Sequence, residues 1–169
     1  MPGLEAEETA VQMESLEKMF GPGKDINAMN SNMKNLMMQE GLPYESRSMT
    51  YNSRLAQELG TWADTQNDGE LIHEGIYKTY FVQNKNIGDI DVLIEIVKQS
   101  GLNDKEAQNA LNNRTFKEAV DRDWTKARSI GVTGVPTYLA GGAGVVGAQP
   151  YEALVKLVEQ ASEKMGIKL

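Results

Sequence analysis

The residue types that carry most protein chemistry are sparse in this chain. It has no cysteine and a single histidine, His73. No disulfide, thiolate nucleophile, zinc–thiolate centre or iron–sulfur cluster can be built from it, nor any site needing several imidazoles. Asp64-Thr65-Gln66-Asn67-Asp68-Gly69 starts like a calcium loop, but Gly75 stands where a bidentate Glu is required. It reads as a capped turn between helices. Gly21-Pro22-Gly23-Lys24-Asp25 lacks both the glycine spacing of a phosphate loop and its Ser or Thr after Lys. Asn113-Arg114-Thr115 has the form of a glycosylation acceptor, and reads better as a helix cap. These residues lead us to expect no metal site, no cofactor and no catalytic residue.

The remaining candidates are apolar or backbone features. His73 borders an apolar helical face without a partner motif and reads as a packed or surface histidine. Met29, Met33 and Met37 recur at helical spacing and read as core, with an adaptable peptide-binding surface as the alternative. Tyr77, Tyr80 and Phe81 read as core or groove lining. That leaves Thr133-Gly134-Val135-Pro136, a loop entering a strand-like run. Proline is tolerated at the first residue of a strand. Only about 5–6% of X–Pro bonds are cis in folded proteins, so periodicity leaves the isomer at Pro136 open.

Helices must position most of these residues. Val11, Leu16, Met19 and Phe20 give an amphipathic pattern from about Thr9 to Phe20, stopped by Gly21-Pro22-Gly23. A second helix starts near Asp25 and ends at Gly41 before Pro43. A loop rich in Ser, Arg and Tyr leads to Asn52-Ser53, which cap a helix carrying Leu55, Leu59, Trp62 and Ala63. Asn67 with Glu70, Asn103 with Glu106 and Thr115 with Glu118 read as capping boxes for later helices. Between the first two boxes, Asp89 opens a short helix that buries Ile90, Leu93, Ile96 and Val97. The texture changes at Gly131. Thr137-Tyr138-Leu139-Ala140 and Gly144-Val145-Val146-Gly147, joined by Gly141-Gly142, read as a hairpin. Pro150 suits the first turn of a last helix.

Length and charge narrow the class. The 169 residues suit one domain, with room for an inserted subdomain, and 40% hydrophobic with 24% charged is ordinary for a globular chain. A net charge of −7 opposes a nucleic-acid partner, and no apolar run is long enough to span a membrane. The acidic start of the chain is not a secretory signal, so a cytoplasmic location is expected. Two short strands are marginal alone in water. Either another molecule completes their sheet, or part of the natural domain lies outside this chain.

The run Gly131-Val132-Thr133-Gly134-Val135-Pro136-Thr137-Tyr138, followed by Gly147-Ala148-Gln149-Pro150, resembles the end of a DsbA-like thioredoxin-fold domain. The branch it resembles best is the FrnE-like predicted dithiol–disulfide isomerases, relatives of 2-hydroxychromene-2-carboxylate isomerases and kappa-class glutathione transferases. Asn52-Ser53-Arg54-Leu55-Ala56, the segment from Tyr80-Phe81 to Asn86-Ile87-Gly88-Asp89, and Trp124 through Ala127-Arg128 to Gly131 are similar to the same branch.

The resemblance implies an α+β, mostly helical fold. Residues 1–130 would be an inserted helical subdomain. Residues 131–169 would be the C-terminal β-β-α part of a thioredoxin-like domain, with the N-terminal βαβ unit and its Cys-x-x-Cys missing. It implies that Pro136 is the family's cis-proline, and that Thr133, Gly134, Val135 and Pro136 bind substrate through strand-like backbone hydrogen bonds. The implied partner is a thiol- or disulfide-containing peptide or protein, or glutathione. The implied parent activity is thiol–disulfide exchange, absent from this chain because its thiolate does not exist. Two alternatives stand beside it: a non-catalytic helical binding or oligomerisation module, and a glutathione-dependent isomerase or transferase relative. Incomplete sheets favour strand addition, so a homodimer or swapped oligomer is expected.

Overall fold

Leu59, Ile72, Leu93, Val97 and Leu111 are almost wholly removed from solvent, and they come from four successive helices. In the computed structural model, which describes residues 13–21 and 23–167, these helices are α3 (Arg54–Ala63), α4 (Glu70–Phe81), α5 (Ile90–Gln99) and α6 (Asp104–Asn112). Each packs against its chain neighbour, and α3 also meets α5 and α6. The core adds Trp62, Ile87, Ile94, Ile96 and Ala107, with Tyr51, Ile76, Tyr80 and Phe116 packed around it. Burying one such aliphatic side chain contributes roughly 1.5–3 kcal/mol, which is why these four helices hold together.

Local chemistry sets their ends. The Asp89 side chain accepts from the Asp91 amide and Asn103 accepts from the Glu106 amide, each opening its helix. The box read at Asn67 and Glu70 does not form. The helix begins after Gly69, with no side-chain cap. A Cβ on Gly69 would lie 2.0 Å from the Ala63 carbonyl oxygen. This close turn is entered through Asp68 at a φ of 64°, and it puts Gly69, which has no side chain to offer, at the cap position of the helix. Ser53 precedes α3, but Asn52 supplies the bond, accepting from the Arg54 amide at 2.8 Å.

The N-terminal expectation is corrected. Met13–Ser15 is a strand, β1, and the helix α1 is only Leu16–Phe20. Residues 9–12 lie outside the described residues. β1 pairs antiparallel with β2 (Met49–Tyr51), inside the stretch read as loop. Ser15 ends the strand and caps α1 by accepting from the Lys18 amide at 3.2 Å. The helix α2 (Ile26–Gln39) forms where expected, but none of its residues is buried. Met29 and Met33 are exposed, which corrects the core reading of the methionine stripe. Correct helical spacing makes a face, and among the described residues no element buries this one.

After α6 comes α7 (Lys117–Ser129), then β3 (Thr137–Ala140), β4 (Ala143–Val146) and α8 (Tyr151–Met165). The chain divides into two compact units, residues 1–121 and 122–169, within α7. In the second unit β3 and β4 form a hairpin in the register Thr137↔Val146 to Ala140↔Ala143. Its two-residue turn has positive φ at both Gly141 and Gly142, as the twist of a tight hairpin requires. A Cβ on Gly141 would meet the Ala161 Cβ at 2.8 Å, so this glycine also lets α8 approach the hairpin. Leu157, Ala161 and Ser162 are the buried residues of α8. The two antiparallel strand pairs and the many helices make the fold α+β, mostly helical.

Candidate functional site

The loop into β3 is built by a helix end and a hairpin start. Gly131, at a φ of 80°, closes α7. The Val132 amide then donates to the Ala127 carbonyl at 3.0 Å. On the other side, Thr137 Oγ1 donates to the Gly134 carbonyl at 2.5 Å and the Gly147 amide donates to the Pro136 carbonyl at 2.8 Å. These bonds grip the residues flanking Val135 and leave Val135 itself outside. Its side chain is 89% exposed. Among the described residues no hydrogen bond engages its amide or carbonyl. The Val135–Pro136 peptide bond is cis.

Thr133 and Pro136 are also exposed, and Gly134 is half-buried, 3.4 Å from Val146 Cγ1 at the position its Cβ would take. The four residues therefore form one continuous surface at the entry to β3. Chemically they offer the backbone donor and acceptor of Val135, unpaired among the described residues, in a bent segment just before β3. This suits an incoming extended peptide. They offer no nucleophile or acid–base group.

The other residues considered from sequence lie elsewhere. His73 Nε2 is 2.8 Å from Asp64 Oδ1, a partly exposed pair across the α3–α4 turn. That turn is the segment with the calcium-loop beginning. Among the described residues no group of three or more His, Asp or Glu side chains is placed to hold a metal ion. Tyr77, Tyr80 and Phe81 are half-buried. The Tyr77 hydroxyl donates to the Pro43 carbonyl at 2.9 Å, and Phe81 lies 4.7 Å from Tyr80 ring to ring.

Sequence reasoning missed a buried charge network in the first unit. Glu58 is 2% exposed and receives Arg54 Nε at 3.1 Å, Arg114 Nε at 2.9 Å and Arg114 Nη2 at 2.6 Å. Arg54 also donates to the Lys117 carbonyl at 3.1 Å and to Asp121, which receives Lys117 Nζ at 3.1 Å as well. Arg114, in the segment read as a helix cap, has a φ of 51°. Burial works against the charge of Arg54, but hydrogen bonds to Asp121 and Glu58 outweigh it and raise its pKa. The hydrogen bond from Arg54 holds the Asp121 carboxyl below its ordinary range, against burial. The spacing of Arg54 and Glu58, one helical turn apart, was the available signal. Arg114 and Asp121 gave none. The network ties α3 to the start of α7 and is structural.

In the second unit a hairpin entered through Pro136 and turned at two glycines packs against α8, an arrangement that the thioredoxin-like class contains. The chain belongs to the DSBA-like thioredoxin domain family, whose model matches residues 7–159. It is 27% identical over 111 residues to the uncharacterized protein YwbO of Bacillus subtilis (strain 168), a match covering 65% of this chain and 56% of that protein. The chain thus spans little more than half the length of this curated relative. It also shares a fold with a probable DsbA oxidoreductase from Streptomyces coelicolor, with a TM-score of 0.77 and 23% identity, over 93% of this chain and 70% of that one. Among the described residues no helix is long and apolar enough to cross a membrane.

Proposed function

We propose that this chain is the substrate-presenting part of a FrnE-like thiol–disulfide oxidoreductase and performs no redox step by itself. Thiol–disulfide exchange begins when a thiolate attacks a disulfide sulfur to give a mixed disulfide. With no cysteine in 169 residues, that bond cannot form on this chain. What the chain retains is the surface of Thr133, Gly134, Val135 and Pro136. The observation that carries the reading is Val135, exposed and with its backbone unengaged, at the entry to a strand of a DSBA-like domain. In this reading residues 1–130 are the helical insertion and 131–169 the β-β-α part. Pro136 takes the family's cis-proline role, and the partner is a disulfide- or thiol-containing peptide.

Two measurements test this. Insulin reduction by the isolated polypeptide should stay at background, and turnover above it would remove the proposal. Oxidised glutathione, as a small disulfide peptide, should shift the Val135 amide resonance. Val135→Pro deletes that donor and should weaken binding about fivefold, the effect of one backbone hydrogen bond. An unmoved Val135 resonance at saturation would count equally against the site and against the glutathione-dependent alternative.

A second reading rests on a different observation. Tyr138, Leu139 and Val146 of the hairpin are exposed at 39%, 51% and 50%. Apolar strands in this condition favour pairing with another copy. Light scattering at high protein concentration should then give a homodimer, reversed by Leu139→Lys. A monomer would set this reading aside.

A further inference from the structure

The first unit holds an arginine whose donors are incompletely used. Arg47 sits in the segment before β2. Its guanidinium is stacked over Tyr80 and Phe81, at 4.6 and 5.5 Å from the ring centres. Nη1 donates to the Tyr80 hydroxyl and, at 3.4 Å, to the Met49 carbonyl. Nε is buried and has no hydrogen-bond partner. Nη2 has none among the described residues, and no carboxylate there pairs with Arg47. Asn30 grips the Arg47 backbone from both sides, donating to its carbonyl at 2.8 Å and accepting from its amide at 3.4 Å. The cation is therefore held in place and, among the described residues, has no carboxylate partner.

Arg47 lines a cavity of about 150 Å³ with Ser46, Ser48, Tyr51, Tyr80 and Asn84. Among the described residues that line it, Arg47 is the only charged one. Serine, tyrosine and asparagine supply further neutral donors. The same arginine and serines also border a larger cavity of about 590 Å³, which Lys24, Glu17 and Asp25 line as well. Nearby charges there offset one another, so the smaller cavity is where a single positive charge stands alone.

We propose that Arg47 is the anchor of a binding site for a monoanionic carboxylate. Nε and Nη2 are adjacent donors on one edge of a planar fork, matched to the two oxygens of one carboxylate. One cation suits one negative charge better than the two of a phosphate. Nε is buried, so a carboxylate reaches it only when the guanidinium turns toward the cavity it lines. That turn gives up the Nη1 bonds to the Tyr80 hydroxyl and the Met49 carbonyl, which the two bonds to the carboxylate replace. The carboxylate belongs either to a peptide, whose chain would extend into the larger cavity, or to a small organic acid.

The test follows the Arg47 Nε–Hε resonance, assigned by its loss in Arg47→Lys. The full chain is titrated with acetate, N-acetyltriglycine, its C-terminal amide and inorganic phosphate. The carboxylates should move the resonance saturably, and the amide should not. Arg47→Lys, which keeps the charge and loses the fork, should weaken calorimetric binding about tenfold, the cost of a charge-assisted hydrogen bond. N-acetyltriglycine binding more tightly than acetate points to a peptide carboxylate, and equal binding points to a small acid. A resonance moved equally by the amide, moved by phosphate alone, or unmoved by either carboxylate would overturn the assignment. Should circular dichroism find Arg47→Lys unfolded, the wild-type titration decides alone, with the resonance assigned through its correlation to the Arg47 backbone.

Discussion

The helices α3 to α6 and the hairpin with α8 carry similar amounts of apolar pattern and treat it differently. In the first region Leu59, Leu93 and Val97 are wholly buried. In the second, Leu139, Val146 and Val158 stay about half exposed. The first region closes on itself because four amphipathic faces meet. The second has two strands and one helix, and α8 buries only Leu157, Ala161 and Ser162 against its surroundings. An apolar side chain contributes stability only when something covers it. The self-sufficient part is therefore the helical one, while the family-defining hairpin is left with surface to offer.

That contrast can be broken by mutation. The largest effect is expected from Glu58→Ala, which removes the buried carboxylate that Arg54 and Arg114 share and should cost about 3–5 kcal/mol in urea unfolding. Leu93→Ala comes next, at roughly 2–5 kcal/mol, through lost burial and the cavity left behind. Equal and small losses for Leu93→Ala and Leu139→Ala would abolish the comparison. Asp121 adds a pH dependence. Its folded pKa lies below the unfolded value near 3.8, so its stabilisation is complete above that value. It is lost as pH falls through the depressed folded pKa. The stability gap between wild type and Asp121→Asn should narrow as pH drops below about 4. Leu139→Ala, on the exposed hairpin, should change stability least, by about 0.5 kcal/mol or less.

Much of the local structure was legible in advance. The Asn103 cap, the Asp89 start, the tight Gly141-Gly142 turn and both hairpin strands follow from interactions spanning a few residues. The candidate loop at Thr133 to Pro136 was legible mainly by resemblance, since Val135 carries no chemical group that marks it. Three features were not legible. β1 pairs with β2 across more than thirty residues of chain, and Met13–Ser15 has no strand-length pattern of its own. The methionines of α2 obey the same spacing as buried helices, yet among the described residues none of them is buried. Arg47 looked like one more polar loop residue until Tyr80, Phe81 and Asn30 were seen to hold it.

By itself, the sequence determined where most helices start and stop, that the hairpin turns at two glycines, and that no thiolate chemistry occurs on this chain. These depend on residue identity, or on contacts within a helical turn or a two-residue loop. Only the tertiary structure decided which apolar faces are covered, that Glu58 gathers two arginines from distant segments, and that Arg47 keeps donors in reserve. Burial and charge pairing depend on what the rest of the chain brings alongside, and no local pattern records that.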